Sequence, residues 1–348
     1  MMDQTVSALE DSTTSWLSEF TPRRFLRNGH LQTLAGNFLF RKLSIPEAEP
    51  LVVEVEGPVG GYGPTSVLCL CHWQAHEIKR ERLTVVIVHG LEGSAHSQYV
   101  LGNTSRALAA GFNVVRMNMR SCGGTDELSP TMYHSGRSED VAAVVNAIIR
   151  LHDLESVALV GYSMGGNLVL KYAGEVADSP PRQLLGVVGV SPLMDLAASS
   201  AALHEAQNRI YEWHFLRSML ARVRRKAALY PEIYSTEGLE EIRSMRLFDE
   251  HVVARYGGFA GADDYYYSVA SSQYAVTFRI PTLILHSLDD PFIRMLRETR
   301  SALIENPAVT YVETRYGGHC AFLANARNDD GRWAEATLLG FLLEQAGS

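Results

Sequence analysis

Apolar residues follow two patterns along this chain. Short runs rich in β-branched residues predict strands, and apolar residues spaced three and four apart predict helices such as 138–152. The strands show no polar alternation, which is typical of parallel strands covered by helices on both faces. Repeated alternation of strand and helix predicts an α/β fold with a mostly parallel sheet. The predicted strands of this region are 84–90, 111–118, 156–163 and 184–192.

The chain starts differently, with two strand-like segments at 51–56 and 66–72. A segment rich in glycine and proline, 57–65, separates them. Such segments form turns, so these strands are predicted to pair as an antiparallel hairpin.

The alternation is interrupted between about 194 and 278, where the sequence is mostly helical and rich in charged and aromatic residues. It resumes with strands at 281–290 and 309–319 and a helix at 332–346. The interruption predicts a helical cap over the edge of the sheet where open α/β sheets bind ligands. The expected organisation is an N-terminal extension (1–20) followed by a single domain (21–348) that contains the cap.

Composition and charge exclude some classes of function. Hydrophobic residues make up 46% and charged residues 20% of the chain, as in ordinary soluble domains. A net charge of −8 argues against nucleic-acid binding, which usually needs a basic face. A local basic run is interpreted as the solvated face of a helix, rather than as a contact for lipid headgroups; it consists of Arg222, Arg224, Arg225 and Lys226.

The cysteines lack the spacing of metal or redox motifs, so no metal and no cofactor is expected. Reduced thiols are typical of the cytoplasm. The N-terminal residues do not resemble a signal peptide, and no run of 18 apolar residues predicts a transmembrane helix. The expected location is therefore cytoplasmic, while the sequence does not indicate an oligomeric state.

The strongest chemical signal is the segment Gly161-Tyr162-Ser163-Met164-Gly165, between a predicted strand and a predicted helix. A serine nucleophile needs a sharp turn that exposes its hydroxyl at the edge of the sheet. Glycines two residues away on each side let the backbone turn and let strand and helix approach. Ser163 is therefore the candidate nucleophile.

A serine hydroxyl needs a base, and the base needs an acid that orients it. In proteins with this strand–serine–helix turn, the acid and then the histidine follow the serine along the chain. His319 ends the segment 309–319, on a loop after its strand, and Asp289 and Asp290 directly follow the strand residues TLILHS in the segment 281–290. We predict His319 as the base. Asp289 is favoured as the acid because it leaves the strand first, with Asp290 as the alternative.

The loop after the strand at 84–90 is predicted to stabilise a developing oxyanion. Its candidate donor is the backbone N–H of Leu91, and the second is that of Met164, the residue after the nucleophile. His89 is interpreted as a residue that holds this loop.

Further residues are possible contributors to a substrate pocket. Arg120 and Cys122 follow a strand at the same edge of the sheet, although a purely structural turn fits them equally well. Tyr266, in a run of three tyrosines, is a candidate for lining an acyl pocket, although packing within the cap is favoured. Cys122 is not expected to be a nucleophile, because nothing near it in sequence would lower its pKa.

Several motifs together resemble family 4 of the AB hydrolase superfamily, the YheT-like hydrolases. The resemblance covers roughly residues 21–345 and follows the order of the family. The motifs are RNGHLQT (27–33), HGLEGSAHSQY (89–99), NMRSCGG (118–124), YHSGRSED (133–140), GYSMGGNLVLKYAGE (161–175), the cap segment 247–272, LDDPFI (288–293) and GGHCAF (317–322). Where many relatives have Arg-Gly-Cys-Gly, this chain has serine at position 121, which implies a small local change.

The resemblance implies an α/β-hydrolase fold with a helical cap and a triad of Ser163, Asp289 and His319. It also implies esterase or lipase-like activity on short to medium acyl chains. The leading hypothesis is a serine esterase (EC 3.1.1) acting on a small-molecule ester or lipid-like substrate. Two alternatives stay open: an acyltransferase that uses an alcohol or thiol as acceptor, and a non-catalytic binding protein on the same fold.

Overall fold

An eight-stranded sheet forms the centre of the protein, in a computed structural model that describes residues 15–39, 41, 43–56, 63–325 and 330–347. The strand order is β1-β2-β4-β3-β5-β6-β7-β8. From β4 to β8 neighbouring strands are parallel, whereas β2 is antiparallel to both β1 and β4. The strands are β1 Glu49–Val55, β2 Thr65–His72, β3 Thr84–Val88, β4 Asn113–Met117, β5 Val157–Tyr162, β6 Leu184–Val190, β7 Thr282–Ser287 and β8 Val309–Thr314.

This architecture confirms the predicted α/β fold. Strands β3, β4 and β5 are buried at every position, because helices cover both faces of the sheet. The predicted antiparallel pairing of the first two strands is also confirmed, with Val55 opposite Thr65 at the hairpin end. Most of the predicted turn, residues 57–62, lies outside the described residues.

Helices divide between the faces of the sheet. Helices α3 and α4 contribute to one buried layer, and α2 and α11 contribute to the other. The α-helices are α1 Gly29–Phe38, α2 Gln98–Ala109, α3 Ser138–His152, α4 Met164–Glu175, α5 Leu196–Leu203, α6 Arg209–Leu229, α7 Met245–Phe248, α8 Arg255–Gly257, α9 Ala262–Val269, α10 Arg297–Glu305 and α11 Trp333–Gly347. A π-helical turn, Asp249–Ala254, joins α7 to α8.

The segment between β6 and β7 holds helices α5 to α9, and residues 191–281 contain no strand. Its apolar side chains form a third core cluster, which includes Leu216, Phe248 and Tyr265. Phe292 and Ile293, which follow β7, also pack into this cluster. The helical segment is therefore held against the loop that carries the candidate acids.

Only part of the basic run on α6 is solvated: Arg224 and Arg225 are exposed. Arg222 is 7% exposed and Lys226 is fully buried. The Lys226 ammonium donates to the carbonyl oxygens of Asp126 and Ser129. The interpretation as a solvated face is therefore wrong for these two residues, because α6 packs this side onto the 126–129 loop.

Residues 15–20 of the predicted N-terminal extension lie against the last helix. The rings of Trp16 and Phe341 are 5.8 Å apart, and those of Phe20 and Trp333 are 5.3 Å apart. Residues 1–14 lie outside the described residues. Among the helices that are described, none combines the length and the apolar character needed to cross a membrane.

Candidate active site

Ser163 occupies a strained turn between β5 and α4. Its backbone has φ 54° and ψ −117°, a combination that residues other than glycine rarely adopt. The Ser163 N–H donates to Val190 O at 2.9 Å, which ties the turn to the neighbouring strand β6. Strain of this kind persists only where the surrounding structure imposes it, and it recurs at active sites. The turn presents the Ser163 hydroxyl at the carboxyl end of the sheet.

The glycines of the motif are required by close backbone contacts. A Cβ at Gly161 would lie 2.2 Å from Gly165 O, and a Cβ at Gly165 would lie 2.3 Å from His89 O. Neither neighbour can move aside, because both are backbone atoms of packed elements. The pattern that predicted the turn is therefore a steric requirement of the fold.

His319 lies on the loop after β8 and reaches Ser163. Its Nε2 is 3.0 Å from Ser163 Oγ. The His319 N–H donates to Thr33 Oγ1 at 2.8 Å, and the Phe292 ring lies 4.5 Å from the imidazole. These contacts fix the ring where it can accept the serine proton.

Asp290, and not Asp289, orients the imidazole. Asp290 Oδ2 lies 2.8 Å from His319 Nδ1, and Oδ1 accepts the N–H groups of Phe292 and Ile293. Asp289 Oδ1 instead accepts the N–H of Gly318 at 2.8 Å. The preference for Asp289 is corrected here: the chain reverses after β7, so the second aspartate points to the histidine.

The charges in this pair favour proton transfer. Burial alone would lower the pKa of His319, but the charges of Cys320 and Asp290 and their hydrogen bonds raise it well above 6.5. Burial would raise the pKa of Asp290, but the His319 charge and hydrogen bond lower it below its ordinary value. Asp290 is thus ionised beside a histidine that readily accepts a proton.

Helix α1 supports the acid and base loops, which gives a physical role to the RNGHLQT motif. A Cβ at Gly29 would lie 1.7 Å from Asp289 O, so only glycine fits there. Thr33 Oγ1 donates to Gly29 O and accepts from the His319 N–H. The fully buried Gln32 exchanges hydrogen bonds with the backbone of Leu323.

Leu91 and Met164 both lie in the wall of the cavity beside Ser163. Met164 is the first residue of α4, where helix N–H groups lack partners within the helix. The Leu91 N–H donates to no acceptor within the described part of the chain. Both candidate donors are therefore available to a substrate oxygen.

The loop that contains Leu91 is held on both sides. The Gly90 N–H donates to the Tyr99 hydroxyl at 2.9 Å, and the Glu92 N–H donates to the Tyr133 hydroxyl at 3.2 Å. His89 Nε2 accepts the Met119 N–H, so its proton sits on Nδ1, which donates to Gly90 O. Burial lowers the pKa of His89 to about 4, which keeps this imidazole neutral.

Glu92 connects this loop to the helical segment between β6 and β7. Its Oε1 accepts from the Arg222 Nε at 2.9 Å and from the Tyr133 hydroxyl at 2.7 Å, and its Oε2 accepts from Ser218. The Glu92 and Arg222 side chains are 9% and 8% exposed. Helix α6 is therefore anchored one residue from a candidate oxyanion donor.

Two cavities meet at Ser163. The first has a volume of about 90 Å³ and is largely apolar, and its wall contains Tyr266 as well as Ser163. The second has a volume of about 120 Å³ and contains both Ser163 and His319. Apolar members of the first wall are Leu91, Met164, Leu193, Leu196, Leu203, Phe215, Met219, Met245, Val253, Phe292 and Ile293.

Two of the residues considered for the pocket lie elsewhere. Arg120 is fully buried, donates to both Asp140 oxygens, and lines neither cavity. Cys122 is fully buried in the core, where burial raises the pKa of its thiol to about 12. Arg120 therefore ties the chain after β4 to Asp140 on α3, and Cys122 packs in the core.

Some residues of the site were not identified from the sequence. Tyr99 binds the candidate oxyanion loop, and Phe292 packs against the imidazole. Cys320, next to the histidine, places its Sγ 3.6 Å from His319 Nε2. Their positions within the HGLEGSAHSQY, LDDPFI and GGHCAF motifs were the available indication.

Comparison with known proteins identifies the family and the fold of this chain. A family described as having the alpha/beta hydrolase fold matches residues 84–326. The chain is 29% identical over 330 residues to the Escherichia coli (strain K12) protein named "Putative esterase YheT", and the match covers 93% of each chain. It is 28% identical to mouse phospholipase ABHD3 over 243 residues, which cover 70% of this chain and 59% of that protein.

Among solved structures, the esterase Pf2001 of Pyrococcus furiosus has the same fold. The TM-score is 0.53 at 14% identity, covering 89% of this chain and 99% of the esterase. At this level of identity the similarity concerns the fold. From the family match and the relative that covers nearly its whole length, the chain is a YheT-like member of the α/β-hydrolase family.

Proposed function

We propose that this protein is a serine hydrolase that cleaves carboxylic esters through an acyl-enzyme on Ser163. The observation that carries the proposal is the hydrogen-bonded line from Ser163 Oγ through His319 to Asp290, at the meeting point of two cavities. The names of the relatives, an esterase and a phospholipase, support the same class of reaction.

The reaction follows from the positions of the protons. Ser163 Oγ attacks the ester carbonyl carbon while its proton moves to His319 Nε2. The bond to the alkoxy oxygen then breaks, and His319 returns the proton so that an alcohol leaves. Water repeats the sequence on the acyl-enzyme, releasing a carboxylic acid and free Ser163. Throughout, Asp290 stabilises the imidazolium and holds its orientation.

The oxyanion formed in each step needs hydrogen-bond donors that are already in place. We assign this role to the N–H groups of Leu91 and Met164, which flank Ser163 in the cavity wall. The α4 N-terminus also favours negative charge at this position. Fixed donors of this kind commonly contribute several kcal/mol to the transition state, on the order of 3 kcal/mol each.

The two cavities suggest where the acyl part and the alcohol part of an ester substrate bind. The apolar cavity fits the acyl chain, and the second cavity, which contains His319, fits the leaving alcohol that must receive its proton. We propose the segment at about 194–278 as the cap that shapes the acyl site, because Leu203, Met219 and Tyr266 line it. A lipid-like ester has this combination of apolar acyl and polar alcohol parts.

The test uses p-nitrophenyl esters from acetate to dodecanoate with the purified protein and its Ser163→Ala variant. We expect ester hydrolysis that is lost in the variant, with a maximum at one range of chain lengths. A fluorophosphonate probe should label the native protein and not the variant. Equal hydrolysis by both proteins, or absence of labelling, would reject Ser163 as the nucleophile.

Acyl transfer uses the same acyl-enzyme and differs only in the acceptor. Product analysis with an added alcohol separates the two reactions, because transfer gives a new ester and hydrolysis gives the free acid. We expect the acid to dominate. The cytoplasmic location stays a prediction from the sequence, to be checked by fractionation of cells.

A further inference from the structure

The apolar cavity is lined by a carboxyl group that the proposed ester chemistry does not use. Asp249 is 8% exposed and belongs to the π-helical turn between α7 and α8. Such turns insert one residue into a helix and are frequent at functional sites. A carboxyl group among apolar side chains destabilises the fold unless it is hydrogen-bonded, so its presence here requires a reason.

Asp249 is the end of a chain of hydrogen bonds. The Tyr266 hydroxyl donates to Asp249 Oδ2 at 2.6 Å. Since the one hydroxyl proton of Tyr266 is used there, the Ser200 hydroxyl is the donor in its 2.8 Å contact with Tyr266. All three residues line the cavity. The protons therefore point towards Asp249, which is the terminal acceptor.

The second carboxyl oxygen remains available. Within the described residues Asp249 Oδ1 has no hydrogen-bond partner, and it is not among the unpaired polar atoms that are sealed from solvent. Buried polar groups in folded proteins almost always have a partner from the protein, from water or from a ligand. The cavity wall thus includes a carboxyl group of which one oxygen lacks a donor.

Resting on the proposed function, we infer that this cavity takes an acyl chain bearing a hydroxyl or amino group, which donates to Asp249 Oδ1. The ester carbonyl is fixed at Ser163, and Leu196, Met219 and Val253 contact the methylene groups between the two ends. Asp249 then determines which position along the chain carries the substituent.

The charged residues of the cavity wall predict which substituents on the acyl chain are accepted and which are rejected. Among the described residues that form the cavity wall, Asp249 is the one acidic residue, and none is a lysine or arginine. An acyl chain ending in a carboxylate would therefore meet another carboxyl group without a cation to pair with. We expect such substrates to be rejected, whereas hydroxylated or amino-substituted chains are accepted.

The experiment compares nitrophenyl esters of equal chain length that differ in one substituent. The hydroxyl or amino group is placed in turn from the third to the eighth carbon, beside the unsubstituted ester and an ester ending in a carboxylate. At one position we expect a kcat/KM on the order of tenfold above that of the unsubstituted ester. The ester with the carboxylate should be the poorest substrate.

Variants separate recognition from a structural role. Asp249→Leu should abolish the preference, because it removes the acceptor. Asp249→Asn directs its one amide oxygen to the Tyr266 hydroxyl and places its NH2 group at the Oδ1 position, so a hydroxyl can still bind there by accepting, whereas the preference for ammonium, which only donates, should be lost. Tyr266→Phe is the matched control, since it alters the same hydrogen-bond chain but leaves Asp249 Oδ1 in place. Comparing two esters on one enzyme makes the result independent of the folded fraction.

A native enzyme without preference at any position, or a preference unchanged in Asp249→Leu, would overturn the inference and leave a bound water as the partner of Asp249. Fluorophosphonate labelling distinguishes this from failure of the proposed function. If only the inference fails, the native protein is still labelled and hydrolyses unsubstituted esters. If the proposed function fails, even the native protein is neither labelled nor active.

Discussion

Asp290 Oδ2 lies 2.8 Å from His319 Nδ1. The other Asp290 oxygen accepts N–H groups from the chain that follows, so the carboxylate is oriented before any substrate binds. The adjacent Asp289 binds the N–H of Gly318. One acid therefore orients the imidazole, and its neighbour holds the loop that carries it.

This division of roles predicts unequal effects of two similar substitutions. Asp290→Asn should lower kcat by about 10³- to 10⁴-fold, because an amide cannot stabilise the imidazolium. Asp289→Asn retains an oxygen for the Gly318 N–H and should lower kcat by roughly tenfold at most. Ester hydrolysis by both variants, normalised to active sites, measures the difference. A larger loss of kcat in Asp289→Asn than in Asp290→Asn would mean that Asp289 is the acid that orients His319.

The pH dependence of hydrolysis should report the charge of Asp290. The base acts in its neutral form, and the pKa of His319 is raised well above 6.5. In the native enzyme, kcat/KM should therefore fall as the pH drops through a value above 6.5. Removing the carboxylate in Asp290→Asn should shift this acidic limb to lower pH, since the imidazolium loses its partner. An unshifted limb would mean that another group controls it.

The ion pair between Glu92 and Arg222 should couple the cap to the oxyanion loop. Arg222→Met leaves a buried carboxylate without its cation and should lower the free energy of unfolding by about 3 kcal/mol. The double variant Arg222→Met, Glu92→Gln should recover part of this loss. Denaturant unfolding measures it, with Arg225→Met as control, because that half-exposed side chain should contribute at most about 1 kcal/mol.

Gly29 should be as sensitive as the glycines at the nucleophile. Gly29→Ala places a Cβ 1.7 Å from Asp289 O, so the acid loop must move. We expect a loss of kcat of at least about 10²-fold, because small displacements of a catalytic group are costly. Gly347→Ala is the control, since a Cβ there meets nothing within 4 Å. Full activity of Gly29→Ala would show that α1 does not position the loop.

Asp249 should make the protein less stable as the pH rises. Burial raises its pKa from 3.8 to about 7, against the opposing effects of Tyr266 and Arg246. Between these values the folded state binds the proton more tightly, so stability from this group is present below pH 3.8 and lost as the pH rises through 7. Asp249→Asn should therefore gain stability relative to the native protein from pH 4 to pH 8, by at most about 4 kcal/mol.

Unfolding in denaturant across this pH range tests that expectation. The comparison at pH 4 is the internal control, because a protonated carboxyl and an amide are both neutral. A difference between the two proteins that stays constant from pH 4 to pH 8 would show that the folded carboxyl ionises near its ordinary pKa.

The sequence by itself predicted the sheet, the turn at Ser163 and the candidate base. Runs of β-branched residues form the buried strands β3, β4 and β5, and the glycines around Ser163 are required by contacts of 2.2 to 2.3 Å. His319 could be selected because its place in chain order is a property of the fold. The strand runs and the glycine spacing are local signals, whereas the choice of His319 used the chain order that is typical of the fold.

Tertiary structure alone decided the direction in which individual side chains point. Asp289 and Asp290 are chemically identical neighbours, and the turn in which Asp290 N–H binds Ser287 O chose between them. Likewise, nothing in the local sequence distinguishes Arg120 and Arg222 from a solvated arginine. In the structure Arg120 donates to Asp140 and Arg222 donates to Glu92. Such partners depend on packing between segments 20 to 130 residues apart, which periodicity and local motifs do not encode.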